Sequence, residues 1–337
     1  MGKYGRILFC TLLLSTMISG VQAAELPKQV VPLGRAVGIK LFSDGVVVVG
    51  MSPVETIEGQ LQPAKEAGLK VGDIVTKING TEVDTIENVQ EILEEAQDNP
   101  LALAVVRSGK ELQITAVAVE TPEGEHKLGL WLRDSMAGIG TLTFYDPDTQ
   151  VYGALGHGVN DVDTAQLMPL ESGAILFAEV ADVRKGLSGS PGELQGSFDV
   201  TRELGDLQIN SEIGIYGKLE DLNMWTGMAP IDVAEMEEIT VGEAKILANI
   251  SVGMVEEFSV NIVQVYPLTL GETRNMMIEV TDPRLLDVTG GIIQGMSGSP
   301  ILQNDKIIGA VTHVLVNDPT RGYGTYIGNM LEASEGV

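Results

Sequence analysis

Gly295-Met296-Ser297-Gly298-Ser299-Pro300 is a tight glycine-rich turn with a serine at its centre, and the residues after it decide the kind of fold that carries it. Ile301-Leu302-Gln303 and Lys306-Ile307-Ile308-Gly309-Ala310-Val311 read as two strands joined by Asn304-Asp305, a hairpin that holds the turn rigidly. Working outward, residues 121–337 are nearly all short strands between Gly, Asp and Pro turns, with 328–333 a candidate final helical turn. The strands are expected over 141–145, 151–155, 174–183, 207–219 and 256–268. That much antiparallel strand suits a sandwich or a pair of barrels. With 40 glycines and 4% aromatic residues, the chain favours a turn-rich fold around an aliphatic core. The hexapeptide form occurs twice, the earlier copy being Gly186-Leu187-Ser188-Gly189-Ser190-Pro191.

A serine on such a turn exposes its hydroxyl while nearby amides converge on one point, which is what acyl transfer requires. The amides of Gly295 and Ser297 are the candidate oxyanion donors. A bare hydroxyl needs a base within hydrogen-bond reach. The chain has three histidines, His126, His157 and His313. His157 is the best base, because it follows a strand and Gly156 and Gly158 leave its ring room. Asp161, Asp163, Asp282 and Asp287 are all candidates for the carboxylate that orients it. Ser188 is a rival nucleophile, but no hairpin backs it as one backs Ser297. No histidine pair has metal-ligand spacing, and this chemistry needs neither a metal nor an organic cofactor.

Residues 1–24 have the layout of a secretory signal: Lys3 and Arg6, an apolar run from Ile7 to Gly20, then Val21-Gln22-Ala23-Ala24 with cleavage after Ala23. The single cysteine, Cys10, lies inside it, so the exported chain would hold no thiol. A net charge of −26, or −28 without Lys3 and Arg6, excludes nucleic acid as a partner and repels anionic lipid. Residues 25–35 read as a tether. Residues 36–120 read as one α+β domain: a buried strand over 45–50, a short helix over 63–68, a strand over 74–78 and the Asn79-Gly80 turn. A helix follows, opened by an Asp84/Glu87 capping box and carrying Ile86, Val89, Ile92, Leu93 and Ala96 on one side. Strands over 101–106 and 112–119 close the unit.

The stretch from Ala67 to Val83 (Ala-Gly-Leu-Lys-Val-Gly-Asp-Ile-Val-Thr-Lys-Ile-Asn-Gly-Thr-Glu-Val) resembles the signature of a PDZ domain. The resemblance implies a peptide added as a strand beside the capped helix, its carboxylate held by the amides of Val37, Gly38 and Ile39 in the loop Ala36-Val37-Gly38-Ile39. Leu155-Gly156-His157 with Asp161, Val280-Thr281-Asp282-Pro283, the turn 295–300 and Thr312-His313-Val314-Leu315-Val316-Asn317-Asp318-Pro319-Thr320 together resemble the SpoIVB (stage IV sporulation protein B) serine peptidases. The similarity spans an export signal, a PDZ domain at 36–120 and a peptidase domain at 121–337.

It implies a mainly β chain, with a chymotrypsin-like double β-barrel and a triad of His157, Asp282 and Ser297. Asp282 stands 15 residues before Ser297, closer than such enzymes usually place it, and Asp161 and Asp163 are its stand-ins. His313 would line the specificity pocket and meet an acidic or polar side chain. By resemblance the enzyme acts between the two forespore membranes on a membrane-bound regulatory complex, so that the sigma-K precursor is processed, and it cuts itself under PDZ control. The apolar end Glu335-Gly336-Val337 suits the PDZ loop of another copy. An HtrA-type envelope quality-control protease and a non-catalytic PDZ scaffold are the alternative readings.

Overall fold

In the computed structural model, which describes residues 26–225, 227–267 and 273–337, the chain opens with β1 (Gln29–Pro32) and the 16-residue β2 (Ala36–Met51). The signal-like segment 1–24, with Cys10, lies outside the described residues. Within the expected tether 25–35, residues 26–35 are described, and they are held in the fold rather than left as a linker. Val31 pairs with Tyr145 and Gln29 with Asp232, and Val30, Val31 and Leu33 are buried. Their apolar side chains outweigh the two prolines, which a sheet edge tolerates.

The elements that follow β2 are α1 (Pro63–Ala67), β3 (Ile74–Ile78), α2 (Ile86–Ala96), β4 (Leu101–Arg107) and β5 (Lys110–Ala116). Local chemistry accounts for each. Pro63 opens α1, and Gly68 ends it in the left-handed region at φ +90°. Thr85 caps α2 by accepting from the Asn88 amide at 3.2 Å, one residue after the expected cap, while Asp84 accepts from the Gly45 amide. α2 presses Val89 and Leu93 onto Val46, Val75, Ile78 and Leu101, a cluster confined to this domain.

The chain then runs back along β2. β6 (Leu130–Tyr145, 16 residues) is its antiparallel partner from Leu130 opposite Met51 to Thr141 opposite Ala36. The α+β domain is therefore an insertion at the tip of a long hairpin whose base belongs to another unit. The expected boundaries at 36 and 120 fall inside that arrangement. Val46 and Val47 pair with β3, whereas Val37, Gly38 and Ile39 lie between β6 and β8 (Ser172–Arg184).

β7 (Val151–Ala154), β8, β9 (Glu193–Asp206) and β10 (Gly214–Lys218) complete the first barrel, in the order β9-β8-β2-β6-β7-β10. The bridge between Gly205 and Leu219 brings β9 back beside the end of β10. Val37, Leu41, Leu142, Tyr152, Ile175 and Ile215 fill this barrel.

The second unit holds β11 (Gly242–Ser251), β12 (Met254–Val265), β13 (Met276–Val280), α3 (Pro283–Thr289), β14 (Pro300–Gln303), β15 (Lys306–Leu315), β16 (Asp318–Tyr326) and α4 (Ile327–Ala333). Its six strands close into a barrel in the order β11-β12-β13-β16-β15-β14. Ile246, Phe258, Ile278, Ile301 and Val311 are its core. The molecule is mainly β, with two barrels and one α+β insertion.

Candidate active site and peptide groove

The turn 295–300 stands where the two barrels meet, and β6 of the first barrel clamps it. Thr141 donates from its amide to the Ser297 carbonyl (3.0 Å) and from its hydroxyl to the Gly295 carbonyl (2.7 Å). Thr143 donates to the Gly298 carbonyl (2.8 Å), and the Gly298 amide donates to the Val311 carbonyl of β15 (2.7 Å). Gly298 has φ +97°, and a Cβ there would lie 2.0 Å from the Thr141 carbonyl oxygen, so the turn admits no side chain at this point.

Leu194 donates its amide to the Gln294 carbonyl at 2.9 Å. Because the peptide is planar, the Gly295 N–H points the opposite way. The amides of Gly295 and Ser297 find no acceptor among the described residues. That pair is what an oxyanion site requires. The earlier hexapeptide copy has another task. Ser188 donates to the Asn317 carbonyl, and Gly192, just beyond that copy, accepts from the Gln294 amide.

His157 reaches the same place just after β7, and the amide of Leu155 donates to the Thr141 carbonyl at 3.2 Å. Its Nδ1 lies 2.8 Å from the Gly158 carbonyl oxygen. A carbonyl can only accept, so Nδ1 carries the proton and Nε2 is left free to accept one. Burial holds the ring's pKa below its ordinary value, against the opposing pull of that carbonyl. Ser297 and His157 line one cavity of about 590 Å³, although in this state the Ser297 hydroxyl donates to the Thr312 carbonyl at 2.8 Å. His313 lines it too, its ring centroid 5.1 Å from that of His157. Burial, then His157 and Arg274, push its pKa down to about 4, and its Nδ1 is buried without a partner.

The structure does not bring Asp282 to His157. Its carboxylate caps α3, accepting from the Arg284 amide (2.9 Å) and side chain and from the Ser259 amide (3.3 Å). Hydrogen bonds from Arg284 hold its pKa down at about 2. Asp-Pro at a helix start is a capping pair, and that local role fixes where the carboxylate points. The stand-ins are occupied as well. Asp161 is paired with Arg133 and accepts from Thr164, and Asp163 lies 2.7 Å from Arg133. Burial alone would raise the Asp161 pKa, but Thr164 and Arg133 bring it below the ordinary range. Among the described residues no carboxylate is bonded to His157, and no group of acidic, histidine or cysteine side chains could hold a metal ion.

The expected carboxylate loop is also corrected. Val37, Gly38 and Ile39 sit in β2 with strands on both sides, so their amides serve the sheet. The candidate groove lies elsewhere, between α2 and the start of β6. This cavity of about 610 Å³ is lined by Ile86, Val89 and Leu93 on one side and Leu128, Gly129 and Leu130 on the other. Leu128-Gly129-Leu130 repeats the apolar-Gly-apolar pattern, which was the signal the sequence offered for it. Gly129 adopts φ +74°, and a Cβ there would lie 2.3 Å from the Ser52 carbonyl oxygen. From Leu130 to Arg133, β6 pairs only with β2, so its other edge is open to an added strand among the described residues.

Two β-barrels meeting at a serine on a glycine-rich turn, with free amides and a histidine in the same cavity, define a serine peptidase. The sequence profile of the SpoIVB peptidase S55 family matches residues 124–331, and the chain belongs to that family. A PDZ domain profile matches residues 61–107, inside the insertion. No curated protein matches the chain.

Among solved structures, the inactive form of the Rv3671c protease from M. tuberculosis aligns at 13% identity, covering 58% of this chain and 82% of its own, with a TM-score of 0.31. An HtrA-type protease, AlgW with a decapeptide, aligns at 12% identity over 63% of this chain and 56% of its own, with a TM-score of 0.35.

Proposed function

We propose that this serine peptidase is an exported endopeptidase that cuts a membrane-associated regulatory protein between the forespore membranes, and so triggers sigma-K precursor processing during sporulation. Family membership supports the developmental role, and the signal-like residues 1–24 support export. One observation carries the chemistry: Ser297 and His157 share a cavity in which the Gly295 and Ser297 amides have no other acceptor. His157 Nε2 takes the Ser297 proton as the oxygen attacks the scissile carbonyl. The two amides hold the oxyanion, and the imidazolium returns its proton to the leaving amine.

The PDZ insertion would take an apolar carboxyl terminus along the open edge of β6 and so govern self-cleavage. Val337 packs against the second-barrel core, so it would have to leave that seat before docking in another copy. Purified full-length protein and its Ser297→Ala variant test the reading together. A fluorophosphonate should label only the former, and only the former should yield fragments of itself. Equal labelling of the variant would move the nucleophile elsewhere.

A further inference from the structure

We infer that the cleft beside Ser297 is a site for aliphatic side chains that rejects charged ones, so the bonds this enzyme cuts are flanked by residues such as Leu, Ile, Val or Met. The inference rests on the reading of Ser297 and His157 given above.

The lining of the cavity carries it. Ile139 of β6, Leu155 and Val159 on either side of His157, Ile292 and Ile293 before the nucleophile and Val314 of β15 form its walls. Charged residues make up 20% of the chain, yet among the described residues no Asp, Glu, Lys or Arg lines this cavity. A charged substrate group would lose its water there and meet no counter-ion. His313 does not supply one, because burial first, then His157 and Arg274, keep its ring neutral near pH 7. That removes the acidic side chain expected at His313.

The mouth continues the same chemistry. Val162 and Val316 line it and are 76% and 49% exposed, and Leu187, on the loop whose Gly189 amide donates to the Val316 carbonyl, is 64% exposed. Two large aliphatic side chains held in water at the opening, with a third on the loop bonded to Val316, mark a surface built to be covered.

Binding to the Ser297→Ala chain tests this without depending on catalysis. The probes are short fluorescein-labelled peptides, amidated so that a carboxylate loop cannot hold them. They are identical but for a central Leu-Leu, Ala-Ala, Asp-Asp or Lys-Lys pair. Anisotropy should place Leu-Leu about 10-fold tighter than Ala-Ala and about 100-fold tighter than either charged pair. Val316→Asp, a change at an exposed rim position that the fold tolerates, should weaken Leu-Leu binding about 10-fold. A Lys-Lys or Asp-Asp peptide binding as well as Leu-Leu overturns the inference. Fluorophosphonate labelling of the Ser297-intact protein reads the nucleophile separately, so the two ideas fail independently.

Discussion

Buried in β6, Thr141 gives its hydroxyl to the Gly295 carbonyl and its amide to the Ser297 carbonyl, while its own carbonyl accepts from Leu155, two residues before His157. One residue thus ties the Gly295–Ser297 turn of the second barrel to the His157 loop of the first. Thr141→Val keeps the shape and removes the hydroxyl that fixes the Gly295 peptide. Steady-state kinetics on a cleavable peptide should show kcat lower by about 10- to 100-fold with KM changed less than about 3-fold, and Thr141→Ser should recover most of the loss. A loss carried by KM, or not rescued by serine, would refute this positioning role.

Asp282 calls for the opposite pattern. Asp282→Ala should cost roughly 1–2 kcal/mol of stability through the lost α3 cap, read from thermal midpoints, yet leave Ser297 labelling intact. Its pKa is depressed to about 2 from 3.8, so its stabilisation is complete above about pH 4. The gap between variant and parent should shrink as pH falls from 4 towards 2. His157 titrates in another window. Burial lowers its pKa, so the base stays neutral below pH 6.5 and the acid limb of kcat/KM should have its midpoint under that value.

At the scale of elements, β6 is one strand from the open groove edge at Leu130–Arg133 to the clamp at Thr141 and Thr143, with its register against β2 shifting between Trp131 and Leu132 and between Arg133 and Ser135. If a peptide pairs with the groove edge, the shared strand gives it a covalent route to the clamp. Groove charge sets which peptide would be expected to dock: Glu55, Glu94, Glu123 and Glu125 line it against Lys127 and the half-buried His126. Peptides ending in Val with Lys or Arg upstream should therefore alter the rate of Ser297 labelling at lower concentration than acidic ones. That advantage should fade as salt is raised. Equal potency of acidic and basic peptides in dilute buffer would refute the electrostatic part.

The same strand marks where sequence reading ran out. The Gly68 terminator, the α2 face, the Asn79-Gly80 turn and the Asn304-Asp305 hairpin were legible because neighbours a few residues apart determine them. The pairing of β2 with β6 was not, since it joins residues about 90 apart and the alternation of a strand names no partner. Nor was the role of Asp282. A carboxylate before proline reads equally as a helix cap or a triad acid until its surroundings are known.

At the scale of the molecule, the insertion and the barrel that bears it keep separate cores. Every buried residue of the inserted cluster lies between Val46 and Leu128; of the first-barrel cluster only buried Val47, with half-buried Val49 and Ile74 packed against it, lies in the same stretch. The barrel ends of β2 and β6 meet at Phe42 opposite Ser135. Replacing residues 43–134 by Asn-Gly would close that pair with a two-residue turn whose twist suits antiparallel strands. The loss of Val47 burial should cost roughly 1–2 kcal/mol and the loss of Arg133, the partner of buried Asp161, roughly 1–3 kcal/mol more, together within what a cooperatively folded double barrel withstands. The shortened protein should stay soluble, melt in one transition and label at Ser297. Groove peptides should no longer change its labelling rate, because the edge they would join is gone. If it folds but labels only at background rates while the full chain labels readily, the insertion is part of the catalytic architecture and β6 does more than transmit.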